Sequence, residues 1–483
     1  MSGEKCFEVL EKIFLPKKFE SIENIKGYTI KYGHIVENLQ EYKNGEVLEN
    51  AIVDEVLVSY FKAPKSYTTE NMCEINTHGG NIVVRKILEL CLKNGAEMAE
   101  PGEFTKRAFL NGRIDLLQAE SVIDIIDAKS ERELKAGMNQ LEGQLSKKIH
   151  EIKQKIMDVM VNVEVDIDYP EYDVEEVTNA EIKGMLDIVI SDLEKLEKSF
   201  DNGKILKDGV KTAIIGKPNA GKSSLLNCIL NEERAIVTEI EGTTRDTIEE
   251  FVTVEGVPLK LIDTAGIREA KDEVEKIGIA KSKEIAKDAD LIIAIFDSSR
   301  DLTDEDREIL NIIKGKNAIL VLNKTDLNKK IDENMPEIID SCKYIVKIST
   351  LEQQGLEDLY KIIGNMFSME EISVDNTAII TNLRHKNLIS KALESCKQAM
   401  DALTNGMPLD IIAVFLKEIL ENLGEITGEI VTDDIISEIF SKFCLYTSST
   451  PILSAQRYTK SSPFIFSKHA FISSFEYFAL SPV

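Results

Sequence analysis

The chain has 483 residues with a net charge of −26, of which 43% are hydrophobic and 29% are charged. This length is too great for a single hydrophobic core, so about three domains are expected in an ordinary globular protein. The charge argues against tight, nonspecific binding of nucleic acid over the whole surface, but it does not exclude a local basic face. No apolar run approaches the ~20 residues that a membrane span requires.

The cysteines and the N-terminus indicate the compartment. No Cys-x-x-Cys pair and no histidine at the spacing of metal ligands accompanies the seven cysteines, which are Cys6, Cys73, Cys91, Cys228, Cys342, Cys396 and Cys444. The first residues, Met1 to Lys5, do not resemble a secretory signal. We therefore expect a cytoplasmic protein with reduced thiols, without a disulfide framework or a zinc site.

Residues 1–113 alternate apolar runs with turn signals. Strands are predicted over residues 28–33, 55–61 and 72–76, followed by one amphipathic helix from Ile82 to Lys93. This pattern is typical of a small α/β or α+β domain. The segment Thr77-His78-Gly79-Gly80 is either a ligand-binding loop or a tight strand-to-helix turn in which the backbone satisfies His78, and its spacing does not decide between them.

Helical periodicity begins after residue 114. Apolar residues recur at steps of three and four along one stripe, at Leu134, Met138, Leu141, Leu145, Ile149, Ile152, Ile156 and Met160. A long helix is therefore predicted that stops at Asp168-Tyr169-Pro170, and a second helix over residues 180–200 before Asn202-Gly203. Together they predict the first part of a helical domain over residues 114–207.

A basic cluster lies on the first of these helices and consists of Lys147, Lys148, Lys153 and Lys155. These lysines could contact RNA. Because acidic residues are interspersed among them, a solvated helix face is the better interpretation.

The stretch from Gly216 to Ser223 fits the phosphate-binding pattern of a glycine, four residues and then Gly-Lys-Ser. A buried strand is predicted over residues 211–215 before it, and a helix begins at Ser224 after it. In this context backbone N–H groups and a helix N-terminus favour a bound phosphate. Lys222 is expected to reach the β- and γ-phosphates, and the Ser223 hydroxyl is expected to bind Mg²⁺.

Two further motifs are predicted to contact the phosphates and Mg²⁺. The segment Gly242-Thr243-Thr244 offers Thr244 as a Mg²⁺ ligand in a switch loop. Asp263-Thr264-Ala265-Gly266 ends a predicted strand, with Asp263 placed for the outer Mg²⁺ shell and the Gly266 amide for the γ-phosphate.

Two more motifs predict which nucleotide base is bound. Asn323-Lys324-Thr325-Asp326 ends another predicted strand, and its last carboxylate can accept two hydrogen bonds from guanine that adenine cannot supply. Asp326 therefore favours GTP over ATP. Ser349-Thr350 follows the next strand, where a loop that backs the guanine belongs. The motifs and their order predict a Ras-like GTPase domain over residues 208–370.

A second helical region is predicted over residues 371–444, with an apolar stripe at Ile411, Ile412, Phe415, Leu416, Ile419 and Leu420. The helical domain is therefore expected to be interrupted by the GTPase domain, because each half alone would expose an apolar face. Residues 445–483 contain one acidic residue, five phenylalanines and no helical period. They predict a disordered, adventitious tail, with a short membrane- or partner-binding segment as the alternative.

Several stretches outside the GTPase motifs resemble the MnmE or TrmE family of tRNA-modification GTPases, from about Gly3 to Cys444. They run from Glu74 to Gly80, Glu100 to Leu116, Gln140 to Gly143, Asp166 to Glu171 and Phe440 to Cys444. The resemblance implies a folate-binding N-terminal domain that forms a homodimer, and a helical domain with an inserted GTPase domain. It also implies a complex with the FAD- and NADH-using protein MnmG. Together the two would add a carboxymethylaminomethyl-type group to carbon 5 of the wobble uridine of tRNA, with a one-carbon unit from tetrahydrofolate.

The family hydrolyses GTP with the help of K⁺ and of pairing between two GTPase domains. Here Ile267 replaces the glutamine that usually orients the attacking water, so another charge must stabilise the transition state. The resemblance implies K⁺ ligands at Asn219, Thr238, Ile240 and Thr243, and Glu275 as the residue that positions the water. The catalytic residues would be Glu275, Lys222 and Thr244. The implied nucleotide-binding set is Asn219, Ala220, Gly221, Lys222, Ser223, Ser224, Thr238, Glu239, Ile240, Glu241, Gly242, Thr243, Thr244, Asp263, Thr264, Ala265, Gly266, Asn323, Lys324, Thr325, Asp326, Ser349 and Thr350.

Both ends depart from the family pattern. The family has a strand and a folate-contacting arginine ahead of the segment seen here as Ser2-Gly3, and this chain starts at Met1. The family ends in Cys-Ile-Gly-Lys, whereas Cys444, the counterpart of its modification cysteine, is followed here by Leu445-Tyr446. Of the family's folate contacts, Glu74 and Arg113 stand at matching positions.

Three functional hypotheses follow. The first is a K⁺-dependent GTPase of the wobble-uridine modification complex. The second is a GTPase switch that docks on the ribosome or RNA without chemistry of its own. The third is a truncated family member that keeps GTPase activity but not modification.

Overall fold

The structure, a computed structural model, describes residues 1–18, 26–37, 39, 52–168, 175–230, 250–262, 278–367, 378–441, 443 and 465–466. The chain divides into two compact units, one of residues 1–120 with 431–483 and one of residues 121–430. The domain boundaries after residues 113, 207, 370 and 444 stay predictions, because these units are coarser. Except for Ile465–Phe466, the predicted tail over residues 445–483 lies outside the described residues.

An antiparallel sheet forms the centre of the first unit. Its order is β1–β2–β3–β4, with bounds Phe14–Pro16, Thr29–Val36, Ile52–Phe61 and Met72–Asn76. On β3 the alternate residues Val56, Val58 and Tyr60 are buried, whereas Leu57 is 39% exposed. Helices α1 (Cys6–Ile13) and α2 (Asn81–Lys93) contribute to the same hydrophobic core, so one face of the sheet is covered. The three predicted strands and the predicted helix are confirmed.

The C-terminal helix of the described chain belongs to this same unit. Helix α3 (Glu103–Leu110) contacts α15 (Asp433–Ser441), and their aromatic rings form a small cluster with Phe443. Gly102, which precedes α3, has φ 65°, and a Cβ atom there would lie 2.8 Å from Cγ of Phe443. The close approach of the two segments therefore requires glycine at this position. A short strand β5 (Glu97–Met98) pairs in parallel with β12 (Ile465–Phe466).

The helical part of the second unit combines segments from before and after the nucleotide-binding motifs. Its helices are α5 (Glu131–Leu141), α6 (Gln144–Asp168), α7 (Glu175–Asp208), α13 (Leu383–Thr404) and α14 (Leu409–Thr427), and α4 (Leu116–Ile126) leads into them. Helix α13 packs on α7 and α14, and α14 packs on α6. The buried stripe of α14 contains Ile412, Leu416 and Ile419, as expected of an amphipathic helix. The prediction of an interrupted helical domain is confirmed.

Two helix predictions were wrong in detail. The stripe from Leu134 to Met160 is divided between α5 and α6 at Gly143, which has φ 82°, and Leu134 and Met138 are exposed. The helix predicted over residues 180–200 runs instead from Glu175 to Asp208. Gly203 lies inside this helix, and a Cβ atom there would lie 1.9 Å from the carbonyl oxygen of Ile380. This glycine permits a close backbone approach inside a helix.

A six-stranded sheet carries the nucleotide-binding motifs. Its order is β11–β10–β9–β6–β8–β7, with bounds Tyr344–Lys347, Ala318–Asn323, Leu291–Asp297, Val210–Ile215, Val257–Ile262 and Glu250–Val254. All neighbours are parallel except β7 and β8. Helices α8 (Lys222–Leu230), α9 (Gly278–Asp288), α10 (Asp304–Ile313), α11 (Pro336–Ile339) and α12 (Leu356–Met366) accompany the strands. This doubly wound sheet with an antiparallel edge strand is the predicted Ras-like fold, and the predicted mixed fold class is confirmed.

Two properties concern the described residues as a set. No helix among them is both long and apolar enough to cross a membrane. The six cysteines in this part of the chain are free thiols, and Cys444 lies outside the described residues.

Candidate nucleotide-binding site

The predicted phosphate-binding loop connects β6 to α8, and there is no room for a side chain at two of its glycines. A Cβ atom at Gly216 would lie 2.4 Å from the carbonyl oxygen of Ile295, and one at Gly221 would lie 2.1 Å from Nδ2 of Asn323. Gly221 also has φ 109°, which side-chain-bearing residues rarely adopt. Asn219 has φ 63°, a left-handed conformation that asparagine tolerates better than most residues. The loop therefore folds tightly against β9 and β10.

Lys222 lies at the start of α8 and folds back over this loop. Its Nζ donates hydrogen bonds to the carbonyl oxygens of Gly216 at 2.7 Å and of Lys217 at 2.8 Å. Burial lowers the pKa of its ammonium group, since desolvation disfavours the charged form. Phosphate oxygens would supply the negative charge that these carbonyls only partly provide. Ser223 and Ser224, the next two residues of α8, are exposed at the same helix terminus.

A second lysine of the loop has a partner that the sequence did not reveal. Nζ of Lys217 lies 2.7 Å from Oδ2 of Asp306 and 2.8 Å from Oγ1 of Thr303. Asp306 is only 2% exposed and also accepts hydrogen bonds from the backbone and hydroxyl of Thr303 at the start of α10. This ion pair therefore anchors the loop to α10, and it occupies the ammonium group of Lys217, so Lys222 stays the lysine predicted to bind the phosphates.

Asn323 connects the phosphate loop to the predicted guanine-backing loop. Its Nδ2 donates to the carbonyl oxygen of Ala220 at 2.9 Å, and its Oδ1 accepts from the N–H of Thr350 at 3.1 Å. Asn323 is fully buried, and its bond to Ala220 forms away from water, whereas its bond to Thr350 is partly buried. The structure thereby brings the first and the last of the sequence motifs into one network.

The neighbouring Lys324 is held by an aspartate that sequence reasoning missed. Its Nζ lies 2.6 Å from Oδ2 of Asp297, the last residue of β9. Burial opposes ionisation of Asp297, but hydrogen bonds from Lys324 and Ser299 outweigh it and lower the pKa of this carboxyl. The available signal was a buried apolar run, from Leu291 to Phe296, that ends in an acidic residue at the same edge of the sheet.

The predicted base-reading carboxylate is already oriented. Oγ of Ser349 donates to Oδ1 of Asp326 at 2.6 Å, and the N–H of Thr325 donates to the carbonyl oxygen of Ile348. Both contacts join the loop after β10 to the loop after β11. A carboxylate fixed in this way can accept two parallel hydrogen bonds from a planar base.

The described residues thus contain one half of the predicted site. They bring together Asn219, Ala220, Gly221, Lys222, Ser223, Ser224, Asn323, Lys324, Thr325, Asp326, Ser349 and Thr350. The other predicted residues lie outside the described residues: Thr238, Glu239, Ile240, Glu241, Gly242, Thr243, Thr244, Asp263, Thr264, Ala265, Gly266 and Glu275.

The two predicted folate contacts lie in the first unit. Glu74 is an exposed residue of β4, paired in register with Ser59. Arg113 follows α3, donates from NH1 to the carbonyl oxygen of Tyr67 at 2.9 Å, and has its guanidinium 4.7 Å from the centre of the Tyr67 ring. His78 of the candidate loop after β4 lies with Nδ1 2.7 Å from Oδ1 of Asp54 and is exposed. The side chain of a neighbouring strand, rather than the backbone, therefore partners this histidine.

A polar network positions the segment that contacts Arg113. NH1 of Arg107 donates to both carboxylate oxygens of Glu70, and Oγ of Ser2 lies 2.9 Å from Oε2 of the same residue. Nδ2 of Asn111 donates to the carbonyl oxygen of Thr68 at 2.7 Å. Residues 67–70 are therefore tied to α3 and to Asn111 at its end by one charge-assisted pair, Arg107 with Glu70, and by a neutral bond to the backbone of Thr68.

Comparisons with known proteins cover both units. The family model described as the MnmE helical domain matches residues 116–444, and the one described as the GTP-binding protein TrmE N-terminus matches residues 1–113. A "tRNA modification GTPase MnmE" of Thermoanaerobacter pseudethanolicus is 50% identical over 445 residues, which are 92% of this chain and 95% of that protein. The protein of the same name from Clostridioides difficile is also 50% identical, with the same two coverages of 92% and 95%.

A solved structure also matches part of this chain. The G domain of the T. maritima FeoB iron transporter is 26% identical and covers 33% of this chain and 99% of its own, with a TM-score of 0.25. So low a score decides nothing about the fold, which rests on the strand order and loop described above.

Proposed function

This chain belongs to the family of MnmE tRNA modification GTPases, and from that premise we propose that it hydrolyses GTP in a K⁺-dependent manner to support modification of the wobble uridine of tRNA. The GTPase activity belongs to the family as a whole. The observation that carries the choice of nucleotide is the 2.6 Å hydrogen bond between Ser349 and Asp326, because it orients the carboxylate that distinguishes guanine from adenine.

The oxygen-bearing side chains at the phosphate loop suit two cations. For Mg²⁺, the hydroxyl of Ser223 at the start of α8 is the hard oxygen ligand that this ion prefers, and Thr244 is its proposed companion. For K⁺, the exposed Asn219 offers an amide oxygen that takes no hydrogen bond from the described part of the chain, with Thr238, Ile240 and Thr243 as further proposed ligands. These cations, when bound, supply positive charge that stabilises the transferred phosphoryl group.

The protein's own groups have distinct proposed roles. Lys222 exchanges its two loop carbonyls for phosphate oxygens, and Asp326 holds the base. Glu275 positions the attacking water, since Ile267 cannot do so. The glycine-rich loop and the terminus of α8 contribute fixed backbone dipoles that need no rearrangement during the reaction.

The cation dependence is tested by turnover in KCl and in NaCl at equal ionic strength. We expect faster hydrolysis in KCl for the unaltered protein, and loss of that difference in Asn219→Gly. Glycine is chosen because it adopts φ 63° without strain, so the loop keeps its shape. Equal turnover of the unaltered protein in both salts would refute the cation mechanism, whereas unchanged stimulation of the variant would reject only Asn219 as a ligand.

A tetrahydrofolate derivative is the proposed one-carbon donor, held by Glu74 and Arg113, with Cys444 as the modification cysteine. The network of Arg107 and Glu70 supports this proposal, because it fixes the segment against which the Arg113 guanidinium rests. Equilibrium dialysis with 5-formyltetrahydrofolate tests it, and Arg113→Ala should weaken binding. Equal retention of the folate by the unaltered chain and the variant would contradict the assignment.

A homodimer through the first unit is supported by the open face of its sheet. Tyr32 and Leu57 are opposite each other on β2 and β3 and are both 39% exposed, and Ile30 beside them is 62% exposed. Exposure of such an apolar patch to water is unfavourable, so we propose that a second copy of this chain packs against it. Sedimentation should show a dimer that Leu57→Glu weakens and that Ile188→Glu, at an apolar site of α7 that is 50% exposed, leaves intact. A monomeric unaltered protein would refute the dimer.

The proposed partners are the FAD-dependent MnmG, in a heterotetramer-like complex, and tRNA, both in the cytoplasm. Complementation decides between this role and an assembly switch on the ribosome. In cells that lack the family protein, expression of this chain should restore wobble modification, and purification should recover an FAD protein. Recovery of ribosomal RNA without restored modification would favour the assembly switch.

A further inference from the structure

The helical part of the second unit contains a large cavity that the nucleotide site does not use. It measures about 820 Å³ and lies between the N-terminal part of α6 and the C-terminal half of α7, and residues 378–379 also line it. This volume falls in the range of ligand-binding clefts in proteins, about 300–1,000 Å³.

The wall of this cavity is basic, although the chain as a whole is acidic. Lys147 and Lys148 of α6 and Lys195 and Lys198 of α7 line it, against two carboxylates, Glu151 and Asp192. The chain carries a net charge of −26, so this is a local reversal of sign. Lys147, Lys195 and Lys198 form no ion pair with any residue that the structure describes.

Asp192 does not neutralise these three lysines, because it already has partners. Its Oδ2 lies 3.0 Å from Nζ of Lys148 and 2.9 Å from Nζ of Lys155. Burial opposes its ionisation, but the bonds from the two lysines outweigh that effect and lower the pKa of the carboxyl. Lys153, the remaining lysine of the basic cluster on α6, is paired with Glu429 at the end of α14. Three of the four clustered lysines therefore form internal ion pairs, and Lys147 is the exception.

The other carboxylates of α7 in this region face a different helix. Glu194 pairs with Lys397 at 3.0 Å, and Glu197 accepts a hydrogen bond from Ser390 at 2.5 Å, both on α13. Successive residues of α7 thus separate by charge, with Glu194 and Glu197 toward α13 and the adjacent lysines toward the cavity. This segregation keeps the lysine ammonium groups available to an external anion.

We propose that this lysine-lined cavity binds the phosphates of an RNA backbone. Lysine ammonium groups bind phosphate oxygens as point charges, and three of them on two rigid helices can follow consecutive phosphates. Asn202 on the same wall adds an amide that can bond a ribose hydroxyl. The choice of RNA as the source of phosphate rests on the proposed function, in which tRNA is the substrate.

The test measures binding of a fluorescein-labelled, unmodified tRNA transcript to the full-length protein by anisotropy at several KCl concentrations. The test variant is Lys147→Gln/Lys195→Gln/Lys198→Gln. The matched control is Lys183→Gln/Lys391→Gln/Lys417→Gln, which removes the same charge from exposed positions of α7, α13 and α14. We expect the test variant to lose about 10-fold or more in affinity and to lower the slope of log K against log salt by about 2, whereas the control keeps both.

Arginine at the three test positions should retain binding, because it keeps the charge. If the triple glutamine variant does not fold, Lys195→Glu against Lys183→Glu provides the same comparison within α7. Equal weakening of test and control would overturn the inference, as would an unaltered protein that binds no tRNA.

GTP turnover and wobble modification are measured in parallel, so that a failure of the cavity inference can be told apart from a failure of the proposed function. The cavity inference fails alone when turnover and modification persist but the lysine substitutions leave tRNA affinity unchanged. The proposed function fails when modification is absent even though tRNA binds through these lysines. Inorganic phosphate is also added as a competitor. If it displaces tRNA only as well as KCl of the same ionic strength does, the cavity binds the phosphates of the RNA backbone. If phosphate displaces tRNA at far lower concentrations than KCl, the cavity is a site for free phosphate and the inference is overturned.

Discussion

Oγ of Ser349 donates a 2.6 Å hydrogen bond to Oδ1 of Asp326 across the ends of two neighbouring strands, β10 and β11. The two residues are 23 positions apart in the chain, yet their loops meet because parallel strands end at the same edge of the sheet. The bond fixes the plane of the carboxylate before a base arrives. If Asp326 binds guanine as proposed, this orientation lowers the conformational entropy cost relative to a freely rotating aspartate.

Ser349→Ala should lower GTP affinity by about 10-fold, because one hydrogen bond to a charged group is lost, worth about 1.5 kcal/mol. Titration with a fluorescent GTP analogue measures this. Ser341→Ala, which changes a half-buried serine elsewhere in the same sheet domain, serves as the control and should bind normally. An unchanged affinity for Ser349→Ala would mean that Asp326 does not need this orientation.

Asp326→Asn should exchange the base preference. The amide loses two charge-assisted hydrogen bonds to guanine, a loss of about 100-fold in GTP affinity. It gains a donor that fits the second carbonyl group of xanthine, so xanthosine triphosphate should bind better than GTP. Competition between the two nucleotides reads out the change, and a variant that still prefers GTP would remove Asp326 from the base site.

Lys222→Ala should weaken GTP binding by about 100-fold, because the phosphates lose the lysine that now bonds the loop carbonyls of Gly216 and Lys217. Lys211→Ala removes an exposed lysine from β6 in the same domain and should leave the affinity unchanged. Isothermal titration of both variants makes the comparison. Near-normal affinity for Lys222→Ala would show that the loop does not bind phosphate in the way inferred.

Two glycines of α7 should respond to alanine in opposite directions. Gly203→Ala places a methyl group 1.9 Å from the carbonyl oxygen of Ile380, so the free energy of unfolding should fall by about 2 kcal/mol. Gly184 has no neighbour within 4 Å, and Gly184→Ala should raise it by about 0.5–1 kcal/mol. Urea denaturation gives both values. Similar effects of the two changes would contradict the close approach at Gly203.

The carboxyl group of Glu133 should make the free energy of unfolding depend on pH. Burial raises the pKa of its carboxyl from 4.5 to about 7, so the folded chain holds a proton that the unfolded chain releases between these values. The unfolding free energy should therefore fall as the pH rises from 4.5 to about 7 and stay lower above that range. Glu133→Gln keeps an acceptor for the N–H of Lys129 and removes the buried charge.

The measurement compares urea midpoints at pH 5 and pH 8. Relative to the unaltered protein, Glu133→Gln should gain about 1–3 kcal/mol between these two pH values. Glu131→Gln, an exposed residue of the same helical turn, should show no such gain. Identical pH profiles for the unaltered protein and Glu133→Gln would mean that this carboxyl ionises in the folded state as it does in water.

Much of the site followed from sequence because its chemistry depends on local spacing. The loop from Gly216 to Ser223 lies between a strand and a helix as predicted, and Asp326 and Ser349 were both assigned to the base. Asp297 and Asp306 were missed. Each acts on a lysine that lies at least 27 residues away in the chain, and no local pattern records such a pairing.

The ends of the helices also show where local sequence and tertiary structure differ. The Asn202-Gly203 pair has the composition of a helix end, but α7 continues through it, and Gly203 instead leaves room for the backbone of Ile380. The apolar residues Leu134 and Met138 continue a helical stripe in sequence, yet Gly143 divides the helix and leaves them exposed. Periodicity records which residues share a helix face, but it does not record what covers that face.

The sequence by itself determined the order of the nucleotide-binding motifs, the family and the interruption of the helical domain, since these depend on residues close together in the chain. Only the tertiary structure decided which charges remain available. No local sequence pattern distinguishes the paired lysines from the unpaired ones among the described residues. In the structure, carboxylates from distant segments pair with Lys148, Lys153, Lys155 and Lys217. Because ionic interactions depend on distance in space, it is folding that leaves Lys147, Lys195 and Lys198 to an external anion.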